Sequence, residues 1–370
     1  MNRATAQQSN RAAVEKKKKL FFSLLFCCST ALLLLLLSCS PSQEKLYKET
    51  RDSMYTMVSI TVSTSSPDKA KKAINEAFKE LDRLEKLLNY YSEESEITAI
   101  NRKAGIEPVK VSPETFDIIS KAVFASEKTK GAFDITMGPV IALWDFYNAV
   151  LPDAASVREK LKLTGYTNII LNKEKSTVFL KKKGIEINLG GIIKGYAADR
   201  AVEILKKHGI KSGIVAIAGD IKAFGTRPNG KPWRAGIQNP RPAAHASTSD
   251  EIIAVVNLSD MAISTSGDYA RFFIKDGKRY HHLLNPKTGY PAYECQSVTI
   301  IAEEAAYADA FATGIFILGP QKGLEVLKEL GFDGVIVDRD GKIHVTEGIK
   351  DRIEFIGTTE QQRSRVALKN

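Results

Sequence analysis

The chain is short of cysteine, histidine and tryptophan: its 370 residues include four Cys, five His and two Trp. Cys27, Cys28 and Cys39 fall within the first forty residues, which leaves Cys295 alone in the remainder. One thiol forms no internal disulfide and no cysteine metal cluster, so the fold must rely on its packed core. His281 and His282 stand together, but no Cys or Glu lies at a zinc spacing from them, which argues against zinc. No internal repeat and no long low-complexity linker interrupts the chain. Acidic residues are outnumbered: Lys plus Arg is 53 and Asp plus Glu is 43, a net charge of +10. Residues 1–38 hold six basic residues and one acidic residue, so half of the excess belongs to that segment. The balance therefore gives little support to a nucleic-acid partner, and none is expected. With 44% apolar and 26% charged residues the composition is that of an ordinary soluble protein. That excludes a disordered, collagen-like or polytopic membrane chain.

What is present at the start is an address. Lys16 to Lys19 precede an apolar run from Leu20 to Leu37, with Ser38 and Cys39 after it. A basic segment, an apolar segment and a small residue before the processing point make a signal peptide. The run is also about long enough to span a bilayer, so an uncleaved anchor is the rival. Leu36-Leu37-Ser38-Cys39 resembles the lipobox of bacterial lipoproteins, in which the cysteine receives lipid and becomes the mature N-terminus. The expected organisation is a signal peptide over 1–38, a lipidated tether over 39–50, one domain over 51–357 and a frayed polar tail over 358–370. The expected location is extracytoplasmic, on a bacterial membrane.

Beyond the tether, Met54–Val62 alternates as a strand. Ser66 and Pro67 open a helix that carries Ala70, Ala73, Ile74, Ala77, Phe78, Leu81, Leu84 and Leu88 on one stripe. Ser112 and Pro113 open a second helix that Gly131 stops. Asn168–Leu171 and Thr177–Lys181 form a hairpin, and Ile185–Leu189 is a short strand entering a glycine turn. Helices are expected over Tyr196–Lys207, Ala305–Leu318 and Gln321–Leu330, with short strands between them. Strands and helices mix without regular alternation, which predicts an α+β fold with largely antiparallel sheets.

Four segments carry candidate chemistry. Asn188-Leu189-Gly190-Gly191-Ile192-Ile193-Lys194-Gly195 joins a strand to a helix, and such a turn presents backbone N–H groups and a lysine to an anion. A tight turn without a ligand is the plain alternative. Asp309 and Thr313 lie four apart on an Ala-rich helix, so their oxygens face one way and suit a hard cation. A hydrogen-bonded core Asp would look the same. His281 and His282 precede a Pro/Gly turn, where a histidine can deprotonate a hydroxyl or merely brace the turn. Phe133, Tyr91 and Met54 can wall a flat aromatic ligand or simply pack.

In this order the motifs resemble one family, the ApbE flavin transferases. The resemblance runs from about Met54 to about Leu330 through Met54–Thr56, Tyr91–Ser95, Gly131–Pro139, Ile187–Tyr196, Ala218–Asp220, Ala262–Tyr269, His282–Pro291 and Ala308–Thr313. It implies that FAD and Mg²⁺ bind in a cleft, and that FMN passes to a Ser or Thr hydroxyl of a target protein with release of AMP. The target implied is a redox-pump subunit. Matched residue by residue, Met54, Tyr91, Ala132, Phe133, Asp134, Asn188 and Lys194 would contact FAD. Asp309, Thr313 and the carbonyl near Gly191 would hold the metal, and His282 would be the general base. Tyr55 departs from the family's frequent Gly, Asn188 from a common acidic residue and Asn285 from a frequent Asp. The rival readings are FAD hydrolysis to FMN and AMP, an extracytoplasmic flavin-binding lipoprotein, and a solute-binding lipoprotein.

Overall fold

The computed structural model describes residues 14–18, 43–242 and 252–356, and the backbone of 366–368. The apolar run 20–37 and Cys39 lie outside the described residues, as does most of the tail. Among the described residues no helix is long and apolar enough to cross a membrane. Residues 1–43 form one unit and Glu44–Asn370 the other, and the second carries the fold.

A nine-stranded sheet organises it. β1 (Lys45–Ser53) and β2 (Thr56–Thr64) form an antiparallel hairpin with Ser53 opposite Thr56. β6 (Ser212–Ile217), β7 (Asp220–Phe224), β10 (Ala262–Gly267), β13 (Cys295–Ala302), β14 (Asp333–Asp338) and β15 (Ile343–Val345) continue the sheet. Val366–Leu368 pairs in parallel with β15, so part of the segment read as a frayed tail is a strand. The other pairings are antiparallel, as the α+β reading expects; β3 (Val109–Lys110), β4 (Ile169–Asn172) and β5 (Thr177–Leu180) form a small antiparallel sheet apart from it. Residues 45–50, read as tether, are also a strand. The segment is polar and shows no apolar stripe; its full backbone pairing with β2 holds it at the sheet edge.

Helices cover one face. α1 (Pro67–Leu88) buries the eight residues of the expected stripe, and the Ser66 hydroxyl accepts from the Lys69 N–H, a cap worth about 1 kcal/mol. α2 (Glu96–Arg102) and α3 (Pro113–Lys128) follow, then the short α4 (Gly138–Ile141) and α5 (Ala154–Leu161). α6 (Ile193–Lys207) packs between α1 and α7 (Ala305–Leu318), and α7 lies on β10 and β13. α8 (Pro320–Leu330) closes that face. On the other face, Ile263, Ile301 and Val335 pack with Trp233, Ala235 and Val256 of a small sheet built from β8 (Trp233–Gln238), β9 (Ile252–Leu258) and β16 (Ile353–Phe355). Alternate residues of one strand therefore serve two cores: Ile300 faces the helices and Ile301 the small sheet.

Ile185–Leu189 is extended but joins no ladder beyond a single bridge at Glu186. Ile185, Ile187 and Leu189 are buried as a strand pattern demands. The backbone partners come from elsewhere. The Asn101 amide donates to the Ile187 carbonyl (3.0 Å) and its Oδ1 accepts the Ile187 N–H (2.8 Å).

Candidate functional site

α6 begins three residues earlier than its apolar pattern indicates, which puts Lys194 and Gly195 on its first turn. A Cβ on Gly195 would stand 2.1 Å from the Ala305 carbonyl oxygen, so only glycine lets the two helices meet there. The Gly195 N–H donates to Asp309 Oδ2 (3.1 Å). Asp199, one turn further along α6, accepts the Ala305 and Ala306 N–H groups (2.9 Å each) and so satisfies the start of α7. The two helices are thus locked with Lys194 beside Asp309.

Around this junction lies a cavity of about 1250 Å³. Met54, Tyr91, Ala132, Phe133, Asp134, Asn188, Gly191, Lys194, His282, Asp309 and Thr313 all line it. Every site residue expected in the folded part therefore meets in one place, drawn from segments more than 250 residues apart along the chain. Their side chains are not equivalent. Asp134 Oδ1 accepts from the Thr136 N–H and hydroxyl and Oδ2 accepts from the Tyr166 N–H, so its carboxylate braces the loop. Asn188 Oδ1 accepts the Gly190 N–H (2.8 Å) and shapes the glycine turn. Gly191 packs so closely on the Phe133 ring that a Cβ would lie 3.1 Å from it and 3.5 Å from Thr313 Oγ1. Met54 and Tyr55 both adopt positive φ in the β1–β2 turn, and the Met54 N–H is held by Glu85 (2.7 Å). Tyr91 is 79% exposed at the mouth.

Asp309 is buried, and burial together with Asp220 pushes its pKa up to about 8. Burial opposes the charge on Lys194, but Asp220 and Asp309 outweigh it and hold its pKa above the ordinary value. Lys194 Nζ lies 3.3 Å from Asp220 Oδ2, and the Ser264 hydroxyl donates to the other oxygen of Asp220. Thr313 and Ser266 hydroxyls bond at 3.1 Å. Two carboxyl groups thus face one ammonium beside several hydroxyls, an oxygen-rich set that fits a hard cation once Asp309 has given up its proton. Among the described residues no group of three or more His, Cys, Asp or Glu converges on a metal position. A cation here would therefore draw on hydroxyl and carbonyl oxygens as well as on carboxylate. Asp220 was given no role from sequence; its signal was its place at the end of the Ala218-Gly219 turn opening β7.

The two histidines separate by their hydrogen bonds. His281 is fully buried; Nε2 faces the Ala292 carbonyl (2.7 Å) and Nδ1 accepts the Leu283 N–H (3.3 Å). A carbonyl only accepts, so Nε2 carries the proton and both nitrogens are satisfied. His282 Nδ1 faces the Arg271 carbonyl (3.3 Å), so Nδ1 carries the proton there and Nε2 is left as the basic nitrogen of a cavity-lining ring. Burial pushes both pKa values down to about 4, with the Arg271 charge adding to the effect at His282. Both rings are neutral at pH 7.

A pH dependence follows. The unfolded histidines protonate near 6.5 and the folded ones near 4. Below pH 6.5 the unfolded chain binds more protons, so stability falls as pH drops toward 4. A His281→Gln chain should be less stable at pH 7 but show a shallower loss of Tm between pH 7 and pH 4.5. An acid slope equal to the parent's would rule His281 out as a source.

An apolar wall, a glycine-rich turn leading into a helix N-terminus and a pair of carboxyl groups with a neutral histidine thus share one cavity. Comparison with known proteins narrows this. The model of the ApbE family matches residues 54–336. The FAD:protein FMN transferase of Treponema pallidum is 33% identical over 301 residues, 77% of this chain and 82% of its own length. A Klebsiella pneumoniae protein of the same name is 34% identical, over 72% of this chain and 82% of its own. The crystal structure of the ApbE protein from Thermotoga maritima superposes with a TM-score of 0.76 at 34% identity, covering 83% of this chain and 99% of that one. The flavin transferase ApbE from Vibrio cholerae gives a TM-score of 0.74 at 26% identity, covering 84% and 99%. The chain belongs to the ApbE family.

Proposed function

We propose that this chain transfers the FMN half of FAD to a Ser or Thr hydroxyl of a second protein and releases AMP. The observation that carries this is the meeting, in one cavity, of the apolar wall, the Asp309–Thr313 centre and a histidine with an unprotonated Nε2. Met54, Tyr91, Ala132 and Phe133 form the wall for the flavin ring. Lys194 and the N-terminus of α6 receive the phosphates, with Asp220 orienting the lysine. Asn188 and Asp134 act through the turn and loop they brace. The acceptor O–H gives its proton to His282 Nε2 as its oxygen bonds the FMN phosphorus. The bond from that phosphorus to the AMP phosphate oxygen breaks, and AMP leaves with the electron pair. Asp309, Thr313 and the backbone oxygen at Gly191 would hold Mg²⁺, which when bound supplies charge relief to the pyrophosphate.

The acceptor we assign is a redox-pump subunit, on the strength of the family resemblance. Lipid attachment at Cys39 outside the cytoplasmic membrane is supported by the basic and apolar segments before it. The chain, FAD, Mg²⁺ and such a subunit should yield a flavin-fluorescent acceptor on a denaturing gel, with one AMP per label. AMP without label would mean hydrolysis; tight FAD binding with neither product would reduce the chain to a flavin carrier.

A further inference from the structure

His282 stands at the root of a hairpin that the proposed reaction leaves without a task. β11 (Phe272–Lys275) and β12 (Lys278–His281) make a two-stranded sheet of their own. The hairpin leaves the cavity wall at Arg271 and rejoins it at His282, and the His282 N–H donates to the Arg271 carbonyl (3.1 Å). That bond fixes the register. Alternation along an antiparallel pair then turns the N–H and C=O of Phe272 and Ile274 outward on β11, and those of Arg279 and His281 outward on β12. On the β12 side the Arg279 carbonyl accepts the Tyr293 hydroxyl (3.0 Å), so that edge is covered. On the β11 side no strand among the described residues pairs with Phe272 or Ile274. Phe273 turns inward onto Tyr280 and Phe146, whereas Phe272 and Ile274 are 37% and 62% exposed. Charge is one-sided even with Arg279 paired to Asp268 (3.8 Å): Arg271, Lys275 and Lys278 stand against Asp276.

We propose that the β11 edge is the docking strand for the acceptor protein, taking up an acidic, extended segment that carries the accepting hydroxyl. This rests on the transferase reading above. A Ser or Thr hydroxyl sits on a short side chain, so the acceptor's own main chain must come to the cavity mouth to reach His282. An open strand edge that starts beside Arg271 offers main-chain hydrogen bonds at that place. The cationic side chains favour acidic flanks and repel basic ones.

The test uses the full chain and synthetic peptides of one length with a central Thr. One peptide has Asp flanks, one has Lys flanks, and one has Asp flanks with alternate backbone nitrogens methylated. Peptide affinity is read by fluorescence anisotropy, and transfer by FMN labelling in the presence of FAD and Mg²⁺. Ile274→Pro removes an outward N–H and leaves the hairpin's internal bonds intact; Lys275→Glu with Lys278→Glu reverses charge without touching the backbone. N-methylation, Lys flanks, Ile274→Pro and the charge reversal should each weaken peptide binding and raise peptide KM about tenfold, with FAD affinity within about twofold. Edge-dependent binding without FMN transfer would keep the docking strand and remove the transferase reading. Transfer that ignores all four changes would keep the transferase and overturn the docking strand. Absence of both would overturn both.

Discussion

A His282→Ala chain is expected to bind FAD as the parent does and to transfer FMN about 10²- to 10⁴-fold more slowly. The size follows from what the ring does. A protein hydroxyl is a poor nucleophile at neutral pH, and His282 Nε2 is the neutral acceptor left to the cavity once Nδ1 is committed to Arg271. FAD affinity should change little, because the wall and the turn come from other segments. Transfer catalysed by the parent should persist well below pH 6, since burial holds His282 near 4. An alanine chain that transferred at the parent rate would end the assignment. Loss of FAD binding along with transfer would show that the ring positions the ligand instead.

Asp309→Asn should move two readouts in opposite directions. The amide keeps an acceptor for the Gly195 N–H but carries no charge. In the metal-free chain Asp309 titrates near 8, far above the 3.8 of an ordinary Asp. The folded state therefore binds the proton more tightly than the unfolded state, and stability falls as pH rises through that window. Asparagine removes this penalty, so the metal-free variant should melt no lower than the parent at pH 8. The rise in Tm on adding Mg²⁺ should shrink, and transfer should drop by at least about 10². An undiminished Mg²⁺ effect on Tm would remove Asp309 from the cation site.

The parts that were legible in the sequence are those whose own side chains decide their structure. Ala305–Leu318 matches its helix end to end because the segment is Ala-rich and apolar apart from Asp309 and Thr313, and stops at Gly319. α1 shows its stripe, its cap and its proline. Elements held mainly by backbone pairing were not legible. β1 has no apolar stripe, and the β11–β12 hairpin carries too few buried side chains to stand out. The reverse error occurs at Ile185–Leu189, where strand-like burial comes without a strand because the Asn101 amide takes the partner's place. The expected site residues that lie in the described part all line the cavity. The resemblance singles out His282; the hydrogen bonds add the physical distinction, since both His281 nitrogens are engaged while His282 engages Nδ1 with Arg271. That Asp134 faces its own loop is visible only in its hydrogen bonds.

The order of strands in the large sheet has a consequence for how the protein comes into being. β2 pairs with β6, so Val58 meets Ile217 across most of the intervening chain, and the site is closed only when α7 arrives with Asp309 and Thr313. Such distant pairings make folding slow, because long loops must close before any contact rewards them. A nascent chain that ends before Asp309 lacks Asp309, Thr313 and Ile317 of the cavity lining, however much of the sheet has formed. Ligand binding should therefore appear late and all at once during synthesis, and truncations that stop at β13 should yield strand structure with no affinity for FAD.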